Sequence, residues 1–461
     1  MARFLSIMFT VIFFPVIVGA QQAKDLTPDI LGELARSCPP DAPLRAAQHA
    51  LAQVDGKKIS QNWEKIIAID TFFTLRLNDQ RISNQQQTGR CWMFSGLNII
   101  RPIAAKKLNC ADLEFSQSYL YFYEKLERAN LFLEAIIRTK DKPYTDRMVE
   151  FLMKTHVTDG ENWLGFVELV EKYGIVPKDV MPETYSSSHS DHVVNVLGRR
   201  LKQAAVHIRH ATIPDSIPMI KMEALKDVYR ILAVNFGLPP KEFHWRYMQK
   251  DTTLITQKTC TPRQFFADVI GDVLDEYYPL YSIPTLPFNK KYEIDLDRTV
   301  SDQPNMYFVN CPLPQLKELA KKSLLDSTVV WFGCDVDQEA STEGGLMIPE
   351  LYDYASLYGI DFTLSRRDLF ETYSSIPMHN MVFTGIDIEG DLIRKWLVEN
   401  SWGSTAGRRG YFFMLDEWFD QYVQVVVLQK KYLPPEILAL FETKAEVLPP
   451  WDPMVSAFRM K

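Results

Sequence analysis

The sequence lacks the patterns that mark several classes of protein. It has six cysteines among 461 residues and no Cys-x-x-Cys pair, which argues against a disulfide framework. No Asn-x-Ser/Thr sequon occurs, and Lys and Arg never run beyond a pair. With a net charge of -7, this gives no sign of a nucleic-acid-binding surface. No repeat and no low-complexity tract is present. What remains is an ordinary globular composition, sufficient for one large domain or two to three smaller ones.

The amino terminus differs from the rest of the chain. One Arg precedes an apolar stretch over residues 4–18, and Gly19-Ala20 follow it. This order is typical of a secretory signal peptide, and the stretch is short for a membrane-spanning helix and interrupted by Pro15. We therefore expect residues 1–20 to be a signal peptide and the mature protein to have no stable membrane partner. The expected location is the secretory route (secreted, periplasmic or lysosome-like), with an uncleaved anchor or a mis-assigned start as alternatives.

Hydrophobic periodicity predicts helices early in the chain and strands late. Residues 91–108 and 114–135 show apolar positions at helical spacing, and the long middle, about 145–325, contains further helical segments such as 191–209 and 221–236. Runs rich in β-branched and aromatic residues cover 329–336, 381–388, 393–400, 410–415 and 422–428. The sequence therefore predicts an α+β fold with an antiparallel sheet and a large helical insertion.

The stretch NQQQTGRCWMF, residues 84–94, places one cysteine where a polar turn becomes an apolar helix. A thiol at the first turn of a helix lies near the positive end of the helix dipole and near free backbone N–H groups, which favour the thiolate. The alternative is that Cys91 is a core residue. The position therefore indicates a nucleophile only if a partner for the thiol lies elsewhere in the chain.

Such a partner is predicted by a hairpin in the late sheet. The turn at Glu389-Gly390-Asp391 lies eleven residues after His379 and ten before Asn400, so these two residues face each other directly or diagonally. The amide oxygen of Asn400 would accept one ring N–H and leave the other nitrogen for a nucleophile. Trp402 could cover that hydrogen bond. The alternative for Asn400 alone is a turn cap.

Together these residues suggest acyl chemistry. The Cys91 thiolate would attack a carbonyl, and His379 would protonate the leaving amine. The oxyanion needs donors, for which we expect the Cys91 N–H and a glutamine amide just upstream. Spacing leaves Gln85, Gln86 and Gln87 open for that role.

The pattern Gln-(five residues)-Cys-Trp, a His on a strand and Asn-Ser-Trp-Gly resembles the papain-like cysteine peptidases. The resemblance selects Gln85 as the oxyanion donor. It is closer to the bleomycin hydrolase branch, also called aminopeptidase C, over the blocks TGRCWMFSGLNIIRP, EFSQSYLYFYEKLER, VEKYGIVPK, VWFGCDV, VENSWG, GYFFMLDEWF and LPPWDPM. Two features depart from secreted papain-like enzymes. Thr88 stands where these have a second cysteine, and 288 positions separate Cys91 from His379, against roughly 130 to 150 in papain.

The resemblance implies a papain-like fold in which Cys91, His379 and Asn400 are catalytic, Gln85 serves the oxyanion, and Trp92 and Trp402 support the site. It implies these segments: 1–20 signal peptide, 21–145 N-terminal segment and helical half, 146–325 inserted helical and oligomerisation region, 326–440 β half, and 441–461 C-terminal arm into the cleft.

The resemblance also implies an aminopeptidase that acts on peptides with a free amino terminus, and on the amide of bleomycin-like compounds. The implied assembly is a homohexamer in the cytoplasm. Nothing in the sequence suggests a cofactor or a structural metal. Residues 455–461 extend past the usual end of this branch, so we expect either trimming of the tail or an altered exopeptidase preference.

Other readings stay open at this point. A catalytically idle oligomeric scaffold that binds peptides or other polymers is the main alternative, and acyl transfer to amines instead of water is another. The pairs His189/His192 and His207/His210 are interpreted as solvated histidines and not as a metal site. Cys334 is expected to be a small core residue, and the charged run 124–128 a solvated helix face.

Overall fold

The computed structural model describes residues 25–77 and 81–453. The predicted signal peptide and the predicted tail extension, residues 455–461, therefore lie outside the described residues. The chain divides into two compact units, with the boundary between Ile59 and Ser60.

The first unit consists of short helices with well-formed N-termini. These are α1 Pro28–Ser37, α2 Ala42–Leu51 and α3 Gly56–Ile59. The side chains of Thr27 and Asp41 accept backbone N–H groups of the first turns of α1 and α2, which is the usual N-cap arrangement. Over the described ranges, no helix is both long and apolar enough to cross a membrane.

The second unit contains the remaining α-helices, both long and short. They are α4 Trp63–Ile67, α5 Cys91–Leu108, α6 Gln117–Arg138, α7 Arg147–Lys154, α8 Trp163–Tyr173, α9 Tyr185–Ser188, α10 Asp191–His210, α11 Ser216–Phe236, α12 Pro262–Val269, α13 Leu313–Leu325, α14 Tyr354–Tyr358, α15 Arg366–Glu371, α16 Asp416–Tyr422 and α17 Pro435–Phe441. Helix α5 begins at Cys91 and ends at Leu108, the two residues predicted for it. Helices α6, α10 and α11 also match predicted segments to within a few residues.

The strands of the second unit are β1 Leu75–Arg76, β2 Phe243–Met248, β3 Leu254–Cys260, β4 Tyr277–Tyr281, β5 Lys290–Ile294, β6 Tyr307–Asn310, β7 Val330–Cys334, β8 Ala340–Ser341, β9 Leu346–Met347, β10 His379–Glu389, β11 Leu392–Glu399, β12 Tyr411–Leu415, β13 Val423–Gln429 and β14 Glu446–Leu448. The main sheet has the order β14-β5-β6-β4-β13-β7-β10-β11-β12-β9-β8, with β1 on β10. Its pairs are antiparallel except β4/β6, β9/β12 and β5/β14. Strands β2 and β3 form a separate hairpin.

The α+β layout is confirmed, but the middle of the chain contains strands that were not predicted. Strands β2 to β6 all lie within 146–325, and three of them, β4, β5 and β6, belong to the main sheet. Strand β4 reads YYPLY and carries Pro279 in its centre, a residue that normally argues against a strand inside a sheet. The segment boundaries that the resemblance implied stay a prediction.

The main sheet separates two hydrophobic cores. In β7, Trp331 joins a core built with the helices around α5, whereas Val330 and Phe332 join a second core with α13 and α16. Successive residues of a strand point to opposite faces, so this split follows from the strand geometry itself. The stacked rings of Phe332 and Phe383, 3.7 Å apart, lie in the second core. Helix α5 therefore packs its first turns against β10 and β7 from one side.

Candidate active site

Cys91 is the first residue of α5, and its side chain is 4% exposed. The backbone carbonyl of Arg90 accepts the N–H groups of Met93 and Phe94 at 3.0 and 3.1 Å, which starts the helix. The Arg90 guanidinium is itself buried and donates two 3.0 Å hydrogen bonds to Glu183. This bidentate pair fixes the residue before the thiol.

Burial raises the pKa of the Cys91 thiol to about 11. Hydrogen bonds from the backbone N–H groups of Asn380, Trp92 and Cys91 and from the Asn380 side chain act in the opposite direction. The sequence predicted that the helix N-terminus favours the thiolate, but it did not predict how completely the helix and the sheet enclose the sulfur. Desolvation of the charged form therefore outweighs these donors, and burial favours the thiol over the thiolate.

The hairpin is formed by β10 and β11, with Glu389 opposite Leu392 at the turn and Val382 opposite Glu399 at the far end. The next residue, Asn400, lies diagonally across from His379, and its Oδ1 is 2.8 Å from His379 Nε2. Both side chains are buried. The predicted pairing of these two residues is thus present in the structure.

Trp402 covers the His379–Asn400 pair. Its ring centroid lies 4.8 Å from that of His379, at an angle of 32° between the ring planes. Phe412 packs against Trp402 in an edge-to-face arrangement, with the ring centroids 5.7 Å apart. The indole therefore lies against the imidazole that makes this hydrogen bond. That it keeps water off the pair stays a prediction.

The thiol reaches the hairpin at the residue next to His379. The Asn380 Nδ2 lies 3.7 Å from Cys91 Sγ, and both side chains are buried. Ser95, one turn further along α5, donates a 2.7 Å hydrogen bond to the Asn380 carbonyl. These two contacts fix the start of α5 beside the first residues of β10. Sequence reasoning missed Asn380, because nothing in its local pattern distinguishes it from a core-facing strand residue.

The three glutamines upstream of Cys91 differ in burial. Gln85 is 5% exposed, whereas Gln86 and Gln87 are exposed. The Gln85 Oε1 accepts a 2.6 Å hydrogen bond from Ser401 Oγ, and its Nε2 donates one to the Thr88 carbonyl at 2.6 Å. An amide nitrogen has two hydrogens, so a second donor is available on Nε2. Of the three alternatives, only Gln85 is held beside the Asn400–Ser401 segment.

Trp92 anchors the start of α5 to Asp159. It is fully buried, and its Nε1 donates a 2.8 Å hydrogen bond to the Asp159 carbonyl. The Asp159 carboxylate accepts the N–H of Gly89 at 3.1 Å and the Tyr121 hydroxyl at 2.7 Å. A Cβ at Gly89 would lie 2.6 Å from the Asp159 Cβ, so this approach requires glycine.

The charge of Asp159 is balanced by Lys125, whose Nζ lies 2.8 Å from Oδ1. Burial by itself would raise the pKa of Asp159, but the Lys125 charge and the hydrogen bonds from Lys125, Ser190 and Tyr121 outweigh it and lower the pKa. Asp159 is therefore ionised in the fold. No local pattern in the sequence marks this residue.

The prediction of a solvated charged face on α6 is wrong. Glu124 and Lys125 are 0% exposed and Arg128 is 5% exposed. Lys125 bridges Glu124 and Asp159, and Arg128 pairs with Glu124 and, at 2.6 Å, with Glu161. Two of the partners, Asp159 and Glu161, lie more than thirty residues away. The local sequence therefore shows only charges that could pair with one another on an exposed helix face. In the structure the run is a buried ionic network.

The remaining candidates lie apart from this arrangement or within the core. Cys334 is fully buried and pairs with His379 across β7 and β10. His192, His207 and His210 lie on α10, and His189 follows α9. Among residues 25–77 and 81–453, no group of three His, Cys, Asp or Glu side chains is arranged to hold a metal ion.

Comparison with known proteins gives consistent matches over nearly the whole chain. The model of the Peptidase C1-like family matches residues 25–455. Aminopeptidase C of Lactobacillus delbrueckii subsp. lactis is 37% identical over 413 residues, covering 87% of this chain and 92% of that protein. Aminopeptidase C of Streptococcus thermophilus is 34% identical over 438 residues, covering 94% and 98%.

The fold has a solved counterpart. The crystal structure of PepW from Lactobacillus rhamnosis superposes with a TM-score of 0.91 at 35% identity, and covers 94% of this chain and 99% of that one. Family, relatives and structure agree with the resemblance seen in the sequence motifs. The chain therefore belongs to the Peptidase C1-like family, in its aminopeptidase C branch, has a papain-like fold and is a cysteine aminopeptidase.

Proposed function

We propose that the protein releases amino-terminal residues from peptides through an acyl-enzyme on Cys91, with His379, Asn400 and Gln85 in the roles that the family resemblance implied. The observation that carries this proposal is the buried 2.8 Å hydrogen bond between His379 Nε2 and Asn400 Oδ1, formed directly beside the start of α5. It orients the imidazole and assigns Nε2 to the asparagine. Nδ1 is then the atom that exchanges a proton with the thiol.

The reaction follows from these assignments. Burial favours the thiol form of Cys91, so Nδ1 of His379 takes its proton as Sγ attacks the scissile carbonyl. The oxyanion is stabilised by the Cys91 N–H and by the second N–H of Gln85. The His379 imidazolium then protonates the leaving amine, which leaves a thioester on Cys91. A water molecule, deprotonated by His379, hydrolyses the thioester and regenerates the thiol.

The preference for a free amino terminus rests on the likeness to the aminopeptidases C. In the structure, the C-terminal arm pairs through β14 with β5, and Trp451 packs against Phe151 at 6.3 Å and under the Arg147 guanidinium at 4.4 Å. We propose that the residues beyond this anchor reach the cleft and bind the substrate ammonium. The amide of bleomycin-like compounds is included in the proposed substrate range because the sequence motifs resemble those of the bleomycin hydrolase branch.

A pair of fluorogenic substrates tests the proposal. The free-amino aminoacyl substrate should be cleaved and its N-acetylated counterpart should not, because only the former presents an ammonium to the arm. An epoxide thiol inhibitor should label Cys91 and abolish turnover. Cleavage of both substrates would contradict the proposal that the arm binds the substrate ammonium, but it would still support cysteine peptidase activity. A folded protein that cleaves neither, and that the epoxide does not label, would favour the idle scaffold.

Gln85 provides a second, independent test. We expect Gln85→Ala to lower kcat by about 10² to 10³-fold with little change in KM, since the lost N–H acts on the oxyanion and not on the bound substrate. Steady-state kinetics on the free-amino substrate measure both parameters. Gln87→Ala is the matched control, because Gln87 belongs to the same run but is exposed. Equal loss in both variants would assign the effect to the loop as a whole.

Secretion through residues 1–20 and assembly into a hexamer remain proposals that rest on the amino-terminal pattern and on the family. The cytoplasm is the alternative location. Intact-mass measurement of the mature protein and its mass in solution by light scattering test them directly. Addition of a competing amine to the assay, followed by product analysis, would detect acyl transfer.

A further inference from the structure

Asn380 touches the reacting sulfur, although it is not one of the residues assigned to the reaction. It follows His379 on β10, is 0% exposed, and places Nδ2 3.7 Å from Cys91 Sγ. We propose that Asn380 is a positioning residue that holds Cys91 Sγ through its side-chain N–H and favours the thiolate over the thiol. This inference rests on the proposed function, because it assumes that Cys91 is the nucleophile.

The fold makes room for this side chain. Asn380 pairs with Gly333 across β10 and β7, and a Cβ at position 333 would lie 2.8 Å from Asn380 Oδ1. The backbone of Asn380 is held by the 2.7 Å hydrogen bond from Ser95 Oγ to its carbonyl. The carboxamide therefore occupies a space that the glycine leaves open, with its backbone fixed from the other side.

The acceptor end of the same carboxamide is not used. Within the described residues, Asn380 Oδ1 is buried and accepts no hydrogen bond. A buried polar atom without a partner costs about 1 to 3 kcal/mol, so an apolar residue of this size would be the more stable filling. A role for the donor end, which points at the sulfur, accounts for an asparagine at this position.

The expected chemical effect follows from the surroundings of the thiol. His379 lies on β10 beside Asn380, Cys334 lies opposite on β7, Asp159 faces the preceding loop, and Arg90 is neutralised by Glu183. Burial disfavours the thiolate, and N–H donors to the sulfur oppose that effect. Hydrogen bonds to a charged acceptor are roughly twice as strong as those to a neutral one, so the Asn380 N–H stabilises the thiolate selectively.

The inference is tested by the pH dependence of Cys91 alkylation with iodoacetamide. In Asn380→Leu, which keeps the number and branching of the side-chain heavy atoms but removes the donor, we expect the alkaline midpoint of alkylation to move up by about one pH unit. In Asn380→Asp, which keeps the shape, a carboxylate replaces the donor and repels the thiolate, so the shift should be larger. Thr384→Val, an isosteric change at a fully buried residue of the same strand, is the control and should leave the midpoint unchanged.

The outcomes separate this inference from the proposed function. If wild-type alkylation at Cys91 does not abolish turnover, the nucleophile assignment fails and the inference fails with it. If alkylation abolishes turnover but folded Asn380→Leu and Asn380→Asp retain the wild-type midpoints, Asn380 is only a filler and the inference alone is overturned. Should Asn380→Leu fail to fold, the alkylation midpoint of Asn380→Asp decides whether Asn380 positions the sulfur or only fills space.

Discussion

Serine in place of Cys91 is expected to lower kcat/KM for the free-amino substrate by about 10⁴-fold or more. Loss of a catalytic nucleophile typically costs factors of this size and larger. The serine hydroxyl would retain the hydrogen bonds around Sγ, but its proton is far harder to transfer to His379 than that of a thiol, so the acyl-enzyme would no longer form at a useful rate. Single-turnover kinetics with active-site titration would measure the loss.

The matched control is Cys110→Ser. Cys110 is also buried, and its Sγ donates to the Asp112 carbonyl at 3.6 Å, a hydrogen bond that a serine hydroxyl can replace. We expect this variant to keep wild-type activity. Residual activity of Cys91→Ser above about one per cent of wild type would point to a different nucleophile. Unchanged peptide affinity of Cys91→Ser, with no turnover in the wild type either, would favour the scaffold.

Loss of the Arg101 side chain is expected to destabilise the second unit by about 3 to 5 kcal/mol. Arg101 lies on α5 with 2% exposure, and its guanidinium donates to Glu399 Oε1 at 2.9 Å and to the Arg81 carbonyl at 2.8 Å. In Arg101→Met, the carboxylate of Glu399, which is 1% exposed, would remain buried without this positive charge. The midpoint of urea unfolding, followed by tryptophan fluorescence, reports the change.

A double variant distinguishes the buried charge from lost packing. In Arg101→Met/Glu399→Met both charges are gone, and since apolar replacement of a buried ion pair is often neutral, we expect most of the stability to return. The exposed pair Lys226–Glu223 gives the control: Lys226→Met should cost no more than about 1 kcal/mol. A double variant as unstable as the single one would show that the guanidinium acts by volume and not by charge.

The parts of the site that could be predicted from sequence are those fixed by local rules. The start of α5 at Cys91 follows from a polar turn that precedes an apolar helical pattern. The approach of His379 to Asn400 follows from counting outward from the Gly390 turn, because strand register has a period of two and the hairpin has little freedom. The selection of Gln85 over its neighbours required the family resemblance, and burial in the structure agrees with it.

The parts that could not be predicted depend on residues distant in sequence. The charged run of α6 has the i, i+4 pattern of a solvated face, and only Asp159 and Glu161, from a later loop, make it a buried network. Strands β4, β5 and β6 join the sheet through pairing across the whole chain, with Pro279 obscuring one of them. The raised pKa of Cys91 depends on enclosure by β7 and β10, which begin 239 and 288 residues further along the chain, and no local pattern predicts that enclosure.

The contacts of Asp159 limit how far this enzyme can be shortened by deleting part of its chain. This one residue fastens the Gly89 turn and Trp92 to α6 and, through Ser190, to the start of α10. Both ends of the segment that carries the nucleophile are thus tied to residues beyond position 145. Deleting residues 146–325 to make a smaller peptidase would therefore remove the contacts that hold the start of α5, and with it Cys91, in place. Asp159 and Ser190 are therefore part of the structure that holds the nucleophile segment in place.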